Sequence, residues 1–207
     1  MNVILFDKNP KKFYPLSLTR PISEFRLGTF TIKQKWSQFY DYVSSHSEKY
    51  LNNVYPTLIA KKNLWIDSTI IPNNNLIVEL NSLKNGEALY KDDILIAFVS
   101  EKFKLEKLYK RKTSLKIIKI NCLTDIFTFS ASEICNDFKF INKKDNSLLN
   151  RKSINVFGDK TNIYIHPSAK LKNATLNCEN GPIFIDEDCD IMENVLIRGP
   201  FSINKSS

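Results

Sequence analysis

The chain has 207 residues, a formal net charge of +8 at pH 7, and 43% hydrophobic and 25% charged residues. This length suits one ordinary domain, or a compact domain plus a smaller module, and the composition is typical of a globular protein. No apolar run approaches the roughly 20 residues needed to cross a bilayer, and the N-terminus has no signal-peptide pattern. We therefore expect a cytoplasmic protein without a membrane partner.

The positive charge is carried mainly by lysine, which argues against a nucleic-acid surface. Only five residues are arginine, the side chain that does most of the bidentate recognition of phosphates and bases. We therefore predict no nucleic-acid partner. The four cysteines form no CxxC pair and match no zinc pattern, so we interpret them as reduced, structural thiols.

An apolar run at the N-terminus leads directly into a polar loop that contains several prolines. Residues 3–6 are VILF and predict a buried strand, and the following segment at 15–21 is PLSLTRP. In α/β proteins, a strand followed by such a loop places a ligand at the carboxyl end of the strand. The segment from Met1 to Gly28 is therefore the first candidate for a binding site.

The following segments alternate between helix and strand patterns. Apolar residues at helical spacing, Ile32, Trp36, Phe39 and Val43, predict a helix from Thr29 to about Tyr50. Further predictions are strands at 63–72 and 115–120, helices at 76–83, 100–112 and 132–138, and a β-hairpin at 88–99. Asp92 and Asp93 fall at the tip of this hairpin, where we interpret them as turn residues and not as metal ligands.

The composition changes from Lys143 to Lys160, where the sequence becomes polar and loses its period. This pattern is typical of a linker. We therefore predict an α/β domain over residues 1–150 and a separate module over residues 151–207.

The C-terminal module repeats with a period of six. Four isoleucines recur at every sixth position: Ile185, Ile191, Ile197 and Ile203. This period is typical of a β-helix built from hexapeptides, in which three six-residue steps form one coil. The sequence contains about two coils and the start of a third. Because solenoid folds need about three units and a cap, we expect either a truncated chain or a module that closes its end by oligomerising.

Motifs in both halves of the chain resemble one protein family. These motifs are VILFD at 3–7, YPLSLTRP at 14–21, EFRLG at 24–28, TIKQKW at 31–36, DIF at 125–127, DF at 137–138, GPIFID at 181–186 and IRGP at 197–200. Together they resemble the bacterial sugar-nucleotidyltransferase-like proteins related to the bifunctional N-acetylglucosamine-1-phosphate uridylyltransferase / glucosamine-1-phosphate acetyltransferase. The resemblance covers nearly the whole chain. It implies a Rossmann-like nucleotidyltransferase-type α/β domain followed by a short left-handed parallel β-helix.

The resemblance also implies an activity. A sugar-1-phosphate would attack the α-phosphorus of a nucleoside triphosphate and release pyrophosphate, with help from Mg²⁺, for which Asp67 is the best available ligand. The β-helix implies a homotrimer. Four residues of the loop and the segment after it are the implied nucleotide- or phosphate-binding residues: Thr19, Arg20, Arg26 and Lys33.

The chain departs from this family at three points. Active members have a glycine-rich loop whose backbone amides hold phosphates, whereas residues 8–13 contain no glycine. Ile22 stands where active members place a lysine, and Asp67 is offset from the usual position of the metal-binding aspartate. Arg20, Arg26 and Lys33 would supply substitute positive charge.

Two alternatives to a nucleotidyltransferase therefore stay open. One is a non-catalytic relative that serves as a binding or trimerising scaffold, and the other is a hexapeptide acyltransferase with His166 as its general base. We interpret His166 as structural, since it directly precedes Pro167 and has no second coil beneath it. A phosphate-sized pocket lined by Arg20 or Arg26 would favour the enzyme, whereas a loop filled by Phe13 and Tyr14 would favour the scaffold.

Overall fold

The computed structural model describes residues 1–141, 149 and 153–207. The chain divides into two compact units, the first formed by Met1–Arg26 and Phe30–Ile126 and the second by Leu27–Thr29 and Phe127–Ser207. The predicted boundary at residue 150 lies outside the described residues and stays a prediction. A membrane-spanning helix is absent from the described residues, because none of their helices is both long and apolar enough.

The elements up to the end of the longest helix are as follows, in chain order: β1 (Asn2–Phe6), β2 (Arg26–Leu27), β3 (Phe30–Thr31), α1 (Ile32–Trp36), β4 (Tyr42–His46), β5 (Asn63–Asp67), β6 (Ile70–Ile71), α2 (Asn74–Asn81), β7 (Glu87–Lys91), β8 (Ile94–Ser100), β9 (Tyr109–Lys112), β10 (Ile118–Lys119) and α3 (Thr124–Asp137). Short 3₁₀ turns separate several of them.

A six-stranded mixed sheet forms the centre of the first unit, with strand order β4-β1-β5-β8-β7-β9. Strand β1 is parallel to both β4 and β5, whereas β8 is antiparallel to β5 and β7. Every residue of β5 is buried, as is β1 beyond its first residue, because both faces of these central strands are covered. The mixed sheet with helices confirms the predicted α/β class.

Two of the predicted helices are wrong. The helix predicted from Thr29 to about Tyr50 is the five-residue α1, capped by a reciprocal pair of hydrogen bonds between Thr31 and Gln34, and the chain then forms β4. Val43 is β-branched and pairs with Val3 of β1, so sheet pairing overrides the helical spacing. The helix predicted at 100–112 is likewise absent from this described segment, whose last four residues form β9 and pair in parallel with β7.

The other local predictions for the first unit agree better with the structure. The β7–β8 hairpin lies where the sequence placed it, and Asp92 occupies its tip with a φ of 53°. The strand predicted at 63–72 is β5 followed by a turn and β6, and α2 begins two residues before the predicted start at residue 76. Both Asp92 and Asp93 are exposed turn residues, as predicted. Helix α3 begins eight residues before the predicted start at Ser132.

The second unit contains eight short strands in its C-terminal part: β11 (Ile154–Phe157), β12 (Ile163–Ile165), β13 (Lys170–Leu171), β14 (Ala174–Asn177), β15 (Ile183–Ile185), β16 (Asp190–Ile191), β17 (Leu196–Arg198) and β18 (Phe201–Ile203). They form three parallel sheets, β11-β14-β17, β12-β15-β18 and β13-β16, so that successive strands visit the three sheets in rotation. Ile163 pairs with Ile183 and Lys170 with Asp190, so the first circuit takes 20 residues. The second circuit is less regular, because Leu176 pairs with Ile197, 21 residues later, and Ile185 with Ile203, 18 residues later.

An apolar interior and left-handed turn residues define this three-sheet region. Its buried side chains are all apolar over residues 153–207, and they include Cys178 and Cys189, which are free thiols as predicted. Asn173 and Asn194 both have positive φ, and their side-chain amides hydrogen-bond to each other across successive circuits. Asparagine tolerates this backbone conformation better than most residues, so it fits the corner where the chain turns.

Candidate functional site

Two aspartates lie side by side at the carboxyl edge of the first unit's sheet. Asp67 ends β5 and is in register with Phe6, so Asp7, the next residue after β1, emerges beside it. The chain leaves β1 to form β4 on one side and later returns as β5 on the other, which makes this edge a topological switch point. Open α/β sheets bind ligands in the crevice at such a point.

The Asp67 side chain is fully buried and its charge is compensated by a lysine. Its Oδ1 accepts hydrogen bonds from the Thr69 backbone N–H at 3.0 Å and from the Thr69 hydroxyl at 2.6 Å. Its Oδ2 accepts from the Lys119 Nζ at 3.0 Å, and the Lys119 side chain keeps 22% exposure. A buried carboxylate requires such a partner, because desolvation would otherwise be very costly.

Asp7 ties the proline-rich loop to the end of β1. Its Oδ2 accepts from the backbone N–H of Ile22 at 3.2 Å, and its Oδ1 accepts from the Ser68 hydroxyl at 2.5 Å. Burial raises the pKa of Asp7 to about 6, opposed by these two hydrogen bonds and aided by the nearby charge of Asp67. Asp7 therefore changes charge near neutral pH while it holds the loop.

A small cavity of about 70 Å³ opens beside Asp67 at this edge of the sheet. Its polar lining consists of Lys8, Asn9, Lys12, Asp67, Thr69, Lys119 and Asn121. Three ammonium groups and one carboxylate leave the lining with net positive charge, so the cavity suits an anion.

A wider groove of about 360 Å³ shares one residue with this cavity. Its lining combines Lys91, Lys116 and Lys119 with apolar side chains that include Ile94, Ile96 and Ile117. Lys119 lines both depressions. Lys119 is therefore positioned to contact ligand groups in either depression.

The glycine-free loop after β1 folds as three 3₁₀ turns, at Pro10–Phe13, Leu16–Leu18 and Ile22–Glu24. Phe13 is buried and packs edge-on against Phe25, with ring centroids 5.9 Å apart. Its neighbour Tyr14 stays 44% exposed. Neither expectation for the loop is met in full: Phe13 is buried but Tyr14 is exposed, and the linings of the two depressions include neither Arg20 nor Arg26.

The four phosphate-binding residues implied by the resemblance lie apart from both depressions, whose linings include none of them. The Thr19 hydroxyl donates to a carbonyl within its own 3₁₀ turn, and Arg20 and Arg26 are exposed. The Lys33 Nζ forms an ion pair with Glu24 at 3.0 Å. Their proposed roles stay predictions.

Sequence reasoning found Asp67 but missed the three lysines of the cavity. Lys8 and Lys12 lie just after β1, in the loop that lacks glycine. Lys119 is the second residue of a two-residue strand, β10, which pairs with β6 and so lies near the end of β5. The position of Lys8 and Lys12 just after the first strand was a usable signal, whereas only strand pairing locates Lys119.

The arrangement at Asp67 does not fit a magnesium ion. Both carboxylate oxygens already accept hydrogen bonds, and one of these comes from an ammonium group. Mg²⁺ requires near-octahedral oxygen coordination, and an ion at the remaining acceptor position of Oδ2 would lie against the Lys119 ammonium group. Within the part of the chain that the structure describes, no group of three or more His, Cys, Asp and Glu side chains could hold a metal. A magnesium requirement stays a prediction from resemblance.

Comparison with known proteins identifies the family of the first 146 residues. The family model described as sugar nucleotidyl transferase matches residues 3–146, which include β1, the proline-rich loop, both aspartates and the three lysines of the small cavity. A search of curated proteins found no match. The matched segment spans well over half of the chain and carries the site at the strand ends. The chain therefore belongs to the sugar nucleotidyl transferase family.

Proposed function

We propose that the first unit joins a nucleoside triphosphate and a sugar-1-phosphate into a nucleotide sugar, with release of pyrophosphate. Membership of the sugar nucleotidyl transferase family supports nucleotide and sugar-phosphate substrates. The observation that carries the proposal is the position of Lys119, which lines both the basic cavity at the switch point and the wider groove beside it.

The two depressions differ in size, as do a phosphate group and the sugar or nucleoside to which it is joined. The cavity of about 70 Å³ has room for about one phosphate group, whereas the groove of about 360 Å³ falls within the range of roughly 300–1,000 Å³ found for small-molecule sites. We assign the phosphate to the cavity and a sugar or nucleoside part to the groove. The apolar side chains of Ile94, Ile96 and Ile117 would contact the faces of that part.

The reaction needs charge stabilisation more than it needs a covalent catalyst. A phosphate oxygen of the sugar-1-phosphate forms a bond to the α-phosphorus, and the bond from that phosphorus to the bridging oxygen breaks. The electron pair leaves with pyrophosphate. Because the protein mainly positions the phosphates and neutralises their charge, Lys8, Lys12 and Lys119 are suited to hold the α-phosphate and the departing pyrophosphate.

The second candidate is a non-catalytic relative, which the buried Phe13 favours. In the family pattern this loop uses glycine amides to hold phosphates, whereas here the Phe13 ring fills part of the loop and packs against Phe25. Such a protein would bind the same phosphate ligands without transferring them.

We further propose that the three-sheet region is a left-handed parallel β-helix of hexapeptides that assembles a homotrimer. Two observations support this proposal: successive strands join the three parallel sheets in rotation, and isoleucine recurs at every sixth position from Ile185 to Ile203. Sedimentation of the purified chain as a particle of three copies would agree with it, and a monomer at all concentrations would contradict it. The acyltransferase alternative gains no support, because the Nδ1 of His166 lies 2.9 Å from the Ser168 hydroxyl and 3.2 Å from its backbone N–H within one exposed turn.

A pyrophosphate-release assay over pairs of nucleoside triphosphates and sugar-1-phosphates tests the proposed transfer. We expect release with at least one pair and a loss of at least about ten-fold in kcat/KM for Lys12→Gln, since one charge-assisted contact is removed. Lys62→Gln, at an exposed position outside both depressions, is the matched control, and Arg20→Ala tests the residue implied by resemblance. Release with no pair, combined with retained pyrophosphate binding, would instead establish the non-catalytic relative.

A further inference from the structure

We propose that the Lys119 ammonium group takes the place of a divalent cation at Asp67, so that the basic cavity binds a phosphate group without a metal. The inference rests on the proposed function, because it concerns the same phosphate site. It contradicts the magnesium dependence that the family resemblance implies.

The Asp67 carboxylate is already bound by groups of the protein. It is fully buried, and its oxygens accept three hydrogen bonds, two from Thr69 and one from the Lys119 Nζ at 3.0 Å. A divalent cation at the remaining acceptor position of Asp67 would lie beside the Lys119 ammonium group, whose like charge opposes its binding. The buried negative charge is thus already balanced by the protein itself.

The Lys119 ammonium group keeps hydrogen-bonding capacity beyond its bond to Asp67. An ammonium group has three N–H donors, and the structure assigns one of them to Asp67. The side chain retains 22% exposure and lines both depressions. Its other donors can therefore reach an anion in the cavity while Asp67 keeps it in position, as a carboxylate-held metal ion would otherwise do.

The rest of the cavity lining carries further positive charge. Once Asp67 and Lys119 neutralise each other, Lys8 and Lys12 still give the cavity two positive charges. Asn9, Thr69 and Asn121 add polar side chains to the same lining. These groups provide the positive charge and hydrogen-bonding capacity that phosphate recognition needs, and none of them requires a metal.

Calorimetric titration of the full chain with inorganic pyrophosphate tests the inference, once with EDTA and once with excess Mg²⁺. We expect binding in EDTA with a Kd within about three-fold of that in Mg²⁺, a difference below 1 kcal/mol. The double variant Asp67→Asn/Lys119→Met, which keeps side-chain size and removes both charges, should bind at least about ten-fold more weakly. Lys62→Met is the matched control and should bind as the parent protein does.

The single variant Asp67→Asn separates the two accounts of this site. If Lys119 is the phosphate ligand, Asp67→Asn keeps it, and pyrophosphate binding in EDTA persists. Binding that requires Mg²⁺ and disappears in Asp67→Asn would overturn the inference and leave the proposed function standing. No binding in either buffer would overturn both. If a variant at the buried pair fails to fold by circular dichroism, the parent protein titrated in EDTA and in Mg²⁺ still tests metal-free binding. Lys12→Gln at the exposed loop then tests whether the cavity is the site, with a loss of about ten-fold expected in EDTA.

Discussion

The six-stranded sheet of the first unit and the three-sheet region of the second treat buried polar groups in opposite ways. In the first unit, Asp67, Ser68 and Asn63 are fully buried at or beside the ends of a central strand. In the three-sheet region of the second unit, residues 153–207, the buried side chains are apolar throughout. Buried charge costs free energy unless it is paired, so the buried, lysine-paired Asp67 at the carboxyl edge of the sheet indicates a site, while an apolar, periodic interior is typical of a repeat module.

We expect the greatest loss of stability when one partner of the buried ion pair between Asp67 and Lys119 is removed. Lys119→Met leaves the Asp67 carboxylate buried without its cation, and we expect a loss of about 3–5 kcal/mol in the free energy of unfolding. The double variant with Asp67→Asn should recover most of that loss, since no charge is left unpaired. Urea denaturation of both variants measures this. A loss below about 1 kcal/mol in the single variant would mean that the pair is not buried as described.

A second prediction concerns the apolar interior of the three-sheet region. Ile185 is fully buried in β15, and Ile185→Ala removes three methyl or methylene groups from a close-packed interior. We expect a loss of about 3 kcal/mol in the free energy of unfolding. Met192→Ala, at a position 73% exposed, is the control and should change stability by less than about 0.5 kcal/mol. Equal effects of the two substitutions would contradict the described interior.

A third prediction uses the pH dependence that Asp7 gives the first unit. Its pKa is raised from 3.8 to about 6 in the folded protein, so the folded state binds more protons than the unfolded state between these values. Stability contributed by Asp7 therefore falls as pH rises from about 4 to 6, by about 2–3 kcal/mol.

Asp7→Asn should remove this fall in the free energy of unfolding between pH 4 and pH 6. Urea unfolding of both proteins at pH 4 and pH 7 isolates the effect, because every other titrating group is shared. We expect the variant to gain stability relative to the parent protein at pH 7 compared with pH 4. Parallel pH curves for the two proteins would contradict the burial of Asp7.

The last prediction concerns the N-terminal cap of α2, which lines neither depression. The Asn73 side chain accepts a hydrogen bond from the backbone N–H of Leu76 at 3.0 Å and so caps α2. Asn73→Ala should cost about 1 kcal/mol, and Asn73→Ser should restore most of it. Thermal unfolding of both variants measures the cap, and equal melting temperatures for the two would contradict its role.

The success of sequence-based prediction also differed between the two regions. The isoleucines at period six and the aspartate that ends an apolar run were visible in the sequence, since each depends on local pattern. The short α1 and the strand β4 were missed, because Val43 fits a helical spacing and a strand equally well until β1 is available as its partner. Lys119 was missed for a similar reason: its place beside Asp67 depends on the pairing of β10 with β6.

The cavity lined by Lys8, Lys12 and Lys119 at the ends of β1 and β5 is the proposed binding site for the phosphates of the substrate. Acetylation of lysines with and without inorganic pyrophosphate, quantified by mass spectrometry of the digested protein, tests it most directly. We expect pyrophosphate to protect Lys8, Lys12 and Lys119 and to leave Lys62 and Lys170 equally reactive in both samples. Equal reactivity of Lys8, Lys12 and Lys119 in the two samples, at a pyrophosphate concentration that saturates binding, would contradict the claim.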